Sequence, residues 1–393
     1  MTGLPVAARF RFDVRPNALA ARWARERTQG TGCIDLADSN PTHWGLGSAA
    51  ALNALAGAVV AAGEYRPEPL GARSARTALA AQFGGHADDY AIASSTSELY
   101  GWILTLCCDP GDEIAVPRPG YPLLDALARL HDVRLVPYEL RYAHPEGWFL
   151  DAGEIESLLA RPRMRALVVV APGNPTGSSL RPGERAAVVA ACARAGALLI
   201  SDEVFRPFTL ERPAADSLSG EAGCATVCLD GASKSLGLPQ AKIGWARFSG
   251  LAASDWPAAR ARLEFLADSV LSVSGPAQEA LPAMLGFRGE ASARIRARCE
   301  QNLRAARALF ESDPSSPYRV RRCDGGWSLL LETPRPTGDE ALALAMLDAG
   351  VHAYPGYFFD SPERGLFSLS LLPDPEVFAT GCRRLRDAVD ALR

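Results

Sequence analysis

No stretch of about 18 uncharged apolar residues occurs anywhere in this 393-residue chain, so no membrane-spanning helix is expected. The opening segment, MTGLPVAARFRFDVRPNALA, lacks an apolar core of signal-peptide length, which makes a cytoplasmic location the expectation. Cysteine is present without a pattern: Cys33, Cys107, Cys108, Cys192, Cys224, Cys228, Cys299, Cys323 and Cys382 are odd in number, with no CxxC spacing and no histidine cluster at metal spacing. No disulfide framework and no metal site are therefore expected, and the thiols read as reduced core filler. Runs of one charge sign are missing too. The 41 basic and 45 acidic side chains are dispersed, with a formal net charge of −4, and leave no nucleic-acid or membrane-surface footprint. Internal repeats and low-complexity linkers are also absent.

What remains has the make-up of an ordinary globular protein, because 48% apolar and 22% charged residues exclude a disordered or fibrous chain. The length, roughly two to three usual domains, predicts a large domain over residues 46–285. A small α+β domain is expected from residues 286–393 together with an N-terminal segment, residues 1–45, that is too short to fold alone. Between residues 90 and 250, short apolar runs alternate with amphipathic stretches, the βα rhythm of a buried, mostly parallel sheet. Ile114–Val116, Ala166–Ala171, Ala197–Ile200 and Ala225–Leu229 read as central strands, and the residues after them should lie at the sheet edge where open α/β sheets bind ligands. One long helical stretch is expected from Trp256 to Leu285 and another from Glu290 to Asp313. The small domain should hold a helix from Asp339 to Leu347 and a final Arg-rich helix.

Four segments carry chemistry. Gly231-Ala-Ser-Lys234-Ser-Leu-Gly237 follows a predicted strand and offers an amine among small residues, the setting a Schiff-base lysine needs. Ser201-Asp202-Glu203-Val204-Phe205 ends a strand with a carboxylate able to pair with a protonated ring nitrogen. Ala171-Pro-Gly-Asn174-Pro175-Thr176-Gly177 ends another and offers a side-chain amide. Ser94-Ser95-Thr96-Ser97-Glu98 opens a predicted helix, where hydroxyls and free N–H groups form an anion cradle.

Taken in order, these segments resemble fold-type I pyridoxal-phosphate enzymes, specifically the class I/II aminotransferases, from about Asn40-Pro41 to the C-terminus. The resemblance implies an α/β fold with a large domain on a mixed, mostly parallel sheet and a smaller α+β domain. It implies that Lys234 forms the Schiff base with pyridoxal 5'-phosphate and shuttles the proton, that Asp202 binds the pyridine nitrogen, and that Asn174 bonds the ring oxygen. Ser95, Thr96, Ser97, Ser233 and Lys242 would hold the phosphate, and Tyr121 in Pro119-Gly-Tyr-Pro122 would stack on the ring. Tyr65 resembles the tyrosine that reaches the cofactor of a neighbouring subunit, which implies a homodimer with shared active sites.

Departures from that pattern are informative. Phe205 stands where the family usually places a tyrosine that donates to the ring oxygen, and losing that donor favours protonation of the Schiff base. Lys242 replaces a phosphate-binding arginine, and Gly231 replaces a frequent serine. The arginine that usually grips a substrate α-carboxylate is missing from Gly365-Leu-Phe-Ser368-Leu-Ser370, where Ser368 or Phe367 takes its place. Arg206 and Arg364 are the nearest cations in sequence. His43 and Trp44 follow Asn40-Pro41 on the implied substrate side, and Tyr354-Pro-Gly-Tyr357-Phe358-Phe359 could wall a pocket or fill a core. Glu264 and Asp268, four apart, read as a solvated helix face.

Transamination of an amino acid or related amine is the reaction implied, with Lys234 moving the proton and Asp202 stabilising the ring. The missing arginine and Phe205 motivate an alternative, elimination or replacement at Cβ or Cγ by a lyase or synthase. A DNA-bound regulator that senses the cofactor fits poorly, for want of room before residue 40 and of a basic patch.

Overall fold

The apolar runs of the middle third become neighbouring strands of one sheet in the computed structural model, which describes residues 4–61, 63–213 and 216–392. Its strands are β1 (Tyr90–Ala93), β2 (Glu113–Arg118), β3 (Arg134–Ala143), β4 (Gly147–Leu150), β5 (Met164–Val170), β6 (Leu198–Asp202), β7 (Thr226–Gly231) and β8 (Gly244–Ser249). They lie in the order β1-β8-β7-β6-β5-β2-β3-β4. The run from β7 to β3 is parallel, whereas β8 is antiparallel to both neighbours and β4 closes the far edge as a hairpin.

Both faces of the sheet are buried, which is why the strands read as continuous apolar runs. Successive side chains point to opposite faces. Ile114, Val116, Ala166, Val168, Ile200 and Val227 join one hydrophobic cluster, while Ala115, Leu167, Val169 and Leu199 join another on the reverse face.

The last third builds a second, antiparallel sheet from Arg319–Val320, Ser328–Glu332, Leu366–Ser370 and Tyr354–Pro355. Helices Arg288–Phe310, Asp339–Asp348 and Pro375–Asp390 contribute to its core, as do Leu19 and Leu36 of the N-terminal segment and Leu46 just beyond it. That segment is tied in by backbone pairing, because Ile34 and Asp35 run parallel to Val351 and His352. A ring stack adds to it: Trp23, on helix Ala18–Gln29, lies 4.2 Å from His352, whose Nδ1 is 2.8 Å from Asp35 Oδ1.

One expectation needs correction. The helical stretch from Trp256 to Leu285 is two helices, Trp256–Asp268 and Gly275–Gly286. The sequence Ser274-Gly-Pro276 explains the break: Ser274 Oγ caps the second helix by accepting from Ala277 N at 3.2 Å, and Pro276 lies in its first turn, where a missing N–H costs no helical bond. Glu264 lies on the first of these helices and pairs with Arg260 at 2.9 Å, a surface role. Among the described residues no helix is long and apolar enough to cross a membrane, and no group of three or more potential metal ligands occurs.

Candidate active site

Because β2, β5, β6 and β7 are parallel and β1 points the same way across β8, the segments that follow them emerge at one edge of the sheet. Lys234, Asp202, Asn174, Tyr121 and the Ser95–Ser97 turn therefore share that edge, as the motif order required.

The chain holds only two lysines, Lys234 and Lys242, nine residues apart counted inclusively. Lys234 sits in the single helical turn Ala232–Ser235 immediately after β7. Ser235 Oγ donates to Gly231 O at 2.9 Å, and Ser292 Oγ donates to Ser235 O at 2.8 Å, so the turn is fixed from both ends. Gly231 packs closely, since a Cβ there would meet Gly244 Cα and Ile243 O at 3.2 Å. The Lys234 amine faces two rings, with Nζ 5.2 Å from the Trp327 centroid and 5.5 Å from that of Phe205. Burial lowers its pKa, and the Asp202 charge opposes that shift.

Trp327 is a residue that sequence reasoning missed. Its signal was the preceding Gly325-Gly326 pair, which lets the backbone approach the loops of the main sheet: Gly325 N donates to Gly177 O at 3.1 Å and Gly326 N to Phe208 O at 2.8 Å. Trp327 is 2% exposed and meets Phe205 edge-on at 5.4 Å.

Asp202 is the last residue of β6 and is partly buried. Its Oδ1 accepts from Val204 N at 3.3 Å and its Oδ2 from Tyr100 Oη at 3.2 Å. Burial pushes its carboxyl up to about 6, against the pull of these two donors and of the Lys234 charge. Tyr100, buried on helix Thr96–Cys107, is the second residue the sequence reading overlooked.

Asn174 is partly buried in the loop after β5, which closes on itself through Gly173 N to Ser178 O and Gly177 N to Gly173 O, both 2.8 Å. Gly177 has a φ of 65°, and a Cβ there would meet Gly325 O at 2.8 Å. At the helix opening, Ser95 is the N-cap and accepts from Glu98 N at 3.2 Å, while Glu98 accepts from Ser94 N and Ser94 Oγ. The first N–H groups of a helix have no intrahelical acceptor, so Thr96 and Ser97 keep donors for an anion. Gly244 gives this turn its room, since a Cβ there would stand 2.9 Å from Thr96 N.

Other candidates are placed less centrally. Ser233 is partly buried beside Lys234, and Lys242 is exposed, at a φ of 49°, on the approach to β8. Tyr121 is 50% exposed, and Gly120 N beside it donates to Phe359 O at 3.0 Å, joining the aromatic run of the second sheet to this edge. Tyr65 is 80% exposed and makes no contact with the site within one chain.

The carboxylate question narrows. Phe367 belongs to the hydrophobic core of the second sheet, whereas Ser368 stands opposite Leu330 and Tyr354. Arg206 lies 3.6 Å from Glu203 and lines a cavity with Ser179, Asp216 and Leu218, and Arg364 is exposed. His43 pairs with Asp38 at 2.8 Å. Tyr354, Tyr357 and Phe358 are in ring contact at 5.1–5.2 Å.

The donor set fits an aldehyde-bearing, phosphorylated pyridine. Among the described residues Lys234 Nζ has no hydrogen-bond or ion-pair partner, and each Asp202 oxygen accepts one bond and keeps a lone pair. Comparison with known proteins agrees. Residues 34–385 match the family described as aminotransferase class I and II. The arginine–pyruvate transaminase AruH of Pseudomonas aeruginosa is 31% identical over 306 residues, 75% of this chain and 72% of that protein. Alanine aminotransferase from Pyrococcus furiosus superposes with a TM-score of 0.88 at 20% identity, covering 98% of this chain and 100% of that one. An aminotransferase from Escherichia coli reaches 0.87 at 21% identity over 99% of both chains. The likeness of these two structures concerns the fold.

Proposed function

Since the chain belongs to the class I and II aminotransferase family and is a pyridoxal-phosphate-dependent aminotransferase acting on amino-acid substrates, we propose that the edge around Lys234 is its catalytic centre. The observation that carries this reading is the pairing of an unpartnered amine at the end of β7 with a buried carboxylate at the end of the adjacent β6.

When bound, pyridoxal phosphate supplies an aldehyde that condenses with amines and a ring that accepts electron density from Cα. Lys234 would be the point of attachment and the base that takes the proton from Cα and returns it. Its lowered pKa serves both roles, because only the neutral amine is nucleophilic or basic. Asp202 holds the ring nitrogen in its protonated form. With a carboxyl near 6 it is mainly ionised at neutral pH. The Asn174 amide donates to the ring oxygen alone, because Phe205 offers no hydroxyl. Phe205 and Trp327 keep water from the lysine amine. Ser95, Thr96, Ser97, Ser233 and Lys242 would hold the phosphate, and Tyr121 would cover the ring.

Tyr65 completes the phosphate site of a second subunit in this reading. Exposed apolar surface on Leu52, Val59 and Val60 of helix Ala49–Ala61, and on Phe265, supports a homodimer. The hydrophobic cluster joining Leu19 and Leu36 to residues from Ile295 to Val389 supports a small domain of residues 1–45 and 286–393, and Leu46, Phe205 and Phe208 in the same cluster seat it on a large one of 46–285. Nine free cysteines support a reducing, cytoplasmic setting.

Borohydride reduction of the cofactor-loaded protein tests the assignment, and the two-lysine composition makes the readout simple. The cofactor mass should appear on the Lys234 peptide, not on Lys242, and vanish in Lys234→Ala. Mass on Lys242 instead, or on neither, would sink the reading.

A further inference from the structure

We infer that Tyr100 is a positioning residue for the cofactor's ring nitrogen, acting by fixing the Asp202 carboxylate from the same helix that offers its first N–H groups to the phosphate. The inference rests on the site assignment above and adds a residue to it.

Tyr100 is 2% exposed, and its helix neighbours Leu99, Ile103 and Leu104 are apolar. A phenylalanine would serve such packing, whereas a tyrosine there must find its hydroxyl an acceptor, since an unpaired buried hydroxyl is costly. Asp202 Oδ2, 3.2 Å away, is that acceptor. The opposite oxygen is taken by Val204 N at 3.3 Å, so the plane of the carboxylate is set by one donor on each side.

Position along the helix gives the contact its consequence. Tyr100 is four residues, about 6 Å of rise, from Thr96 and on the same face. One rigid element thus links the anion cradle to the carboxylate, and the Tyr100 hydroxyl sets the spacing between the two ends of the site. The other titratable groups facing this pair are Lys234 from the turn after β7, Cys228 on β7 and the adjacent Glu203, with Tyr138 of β3 facing Tyr100. Tyr138 is committed to Val168 O at 3.0 Å. Tyr100 itself stays protonated, because burial and the Asp202 charge raise its pKa well above the ordinary phenol value, so it remains a donor at every working pH.

The test compares the apoprotein with Tyr100→Phe. Dissociation constants are measured across pH for pyridoxal phosphate, for its analogue with the ring nitrogen replaced by C–H, and for inorganic phosphate. Near pH 7 the variant should bind pyridoxal phosphate about tenfold more weakly, the effect of one hydrogen bond to a charged group. Without that donor Asp202 protonates more readily, so affinity lost on acidification should begin at higher pH in the variant. The nitrogen-free analogue and inorganic phosphate should bind both proteins equally, and in an Asp202→Asn background the Tyr100→Phe effect should disappear. Equal loss for all three ligands, an unchanged pH midpoint, or an undiminished loss in that background would overturn the inference. If the parent protein shows neither a preference for the ring nitrogen nor cofactor mass on Lys234, the site assignment itself fails instead.

Discussion

The amine of Lys234 lies against two aromatic side chains that meet edge-on, 5.2 Å from the centre of Trp327 and 5.5 Å from that of Phe205. Two opposed effects meet there. A cation over an aromatic face gains about 0.5–2 kcal/mol, whereas full burial can depress a lysine by 3–5 pKa units. Burial is the larger cause, and the pKa falls against the pull of the Asp202 charge.

Removing the larger ring reverses that balance. Trp327→Ala admits water to Lys234, so its pKa should rise towards the ordinary value. Methyl-13C resonances of the reductively methylated apoprotein, which holds only two lysines, report the titration directly. A fall, or no change, would show that the ring's attraction rather than its exclusion of water governs the amine.

Phe205→Tyr adds a hydroxyl at the ring that faces Lys234. If that hydroxyl reaches the cofactor's ring oxygen, it disperses the negative charge that keeps the lysine linkage protonated. The pH at which the visible absorption band changes should drop by about one unit, the size of one ordinary hydrogen bond. An unshifted titration places the ring oxygen out of reach of residue 205.

Asp202 is held in the folded protein at a cost that depends on pH. Its carboxyl is raised to about 6, chiefly by burial, so its contribution favours folding below about pH 4 and is lost as pH rises through 6. Asp202→Asn should therefore make the apoprotein more stable by about 3 kcal/mol at pH 8, with the advantage gone near pH 4. Denaturant melts at both pH values measure this, and a constant difference would contradict the assignment of the shift to residue 202.

Gly244→Ala presses a methyl group against Thr96 N, 2.9 Å from the new carbon, and against the Ser95 carbonyl carbon at 3.1 Å. The opening turn of helix Thr96–Cys107 must move, at a cost of about 1–3 kcal/mol. Inorganic phosphate should bind this variant more weakly by calorimetry, while the lysine titration stays unchanged. Retained phosphate affinity would place the anion elsewhere than this turn.

The main sheet was legible because its strands are buried on both faces and read as short β-branched runs, and because each motif follows such a run. The order in which Ser95, Asn174, Asp202 and Lys234 occur, each after a strand, pointed to the one edge where the fold brings them. Tyr100 and Trp327 were not legible: their roles depend on an acceptor 102 residues away in one case and on a lysine from the other sheet in the other. The break at residues 269–274 was readable in Ser274 and Pro276, yet apolar periodicity on both sides outweighed them. Separating Ser368 from Phe367 required the three-dimensional packing, which puts the Phe367 ring in the hydrophobic core and Ser368 opposite Leu330 and Tyr354.

The pairing of Ile34 and Asp35 with Val351 and His352 sets a schedule for biosynthesis. Roughly 300 residues separate the partners, so at about 5–20 residues per second a ribosome needs some tens of seconds between making the first strand and making its mate. Throughout that interval Leu19, Leu36 and Leu46 are without the core that will cover them. That apolar surface is thus covered only after partners some 300 residues further on have been made, and a holding chaperone has much to protect there.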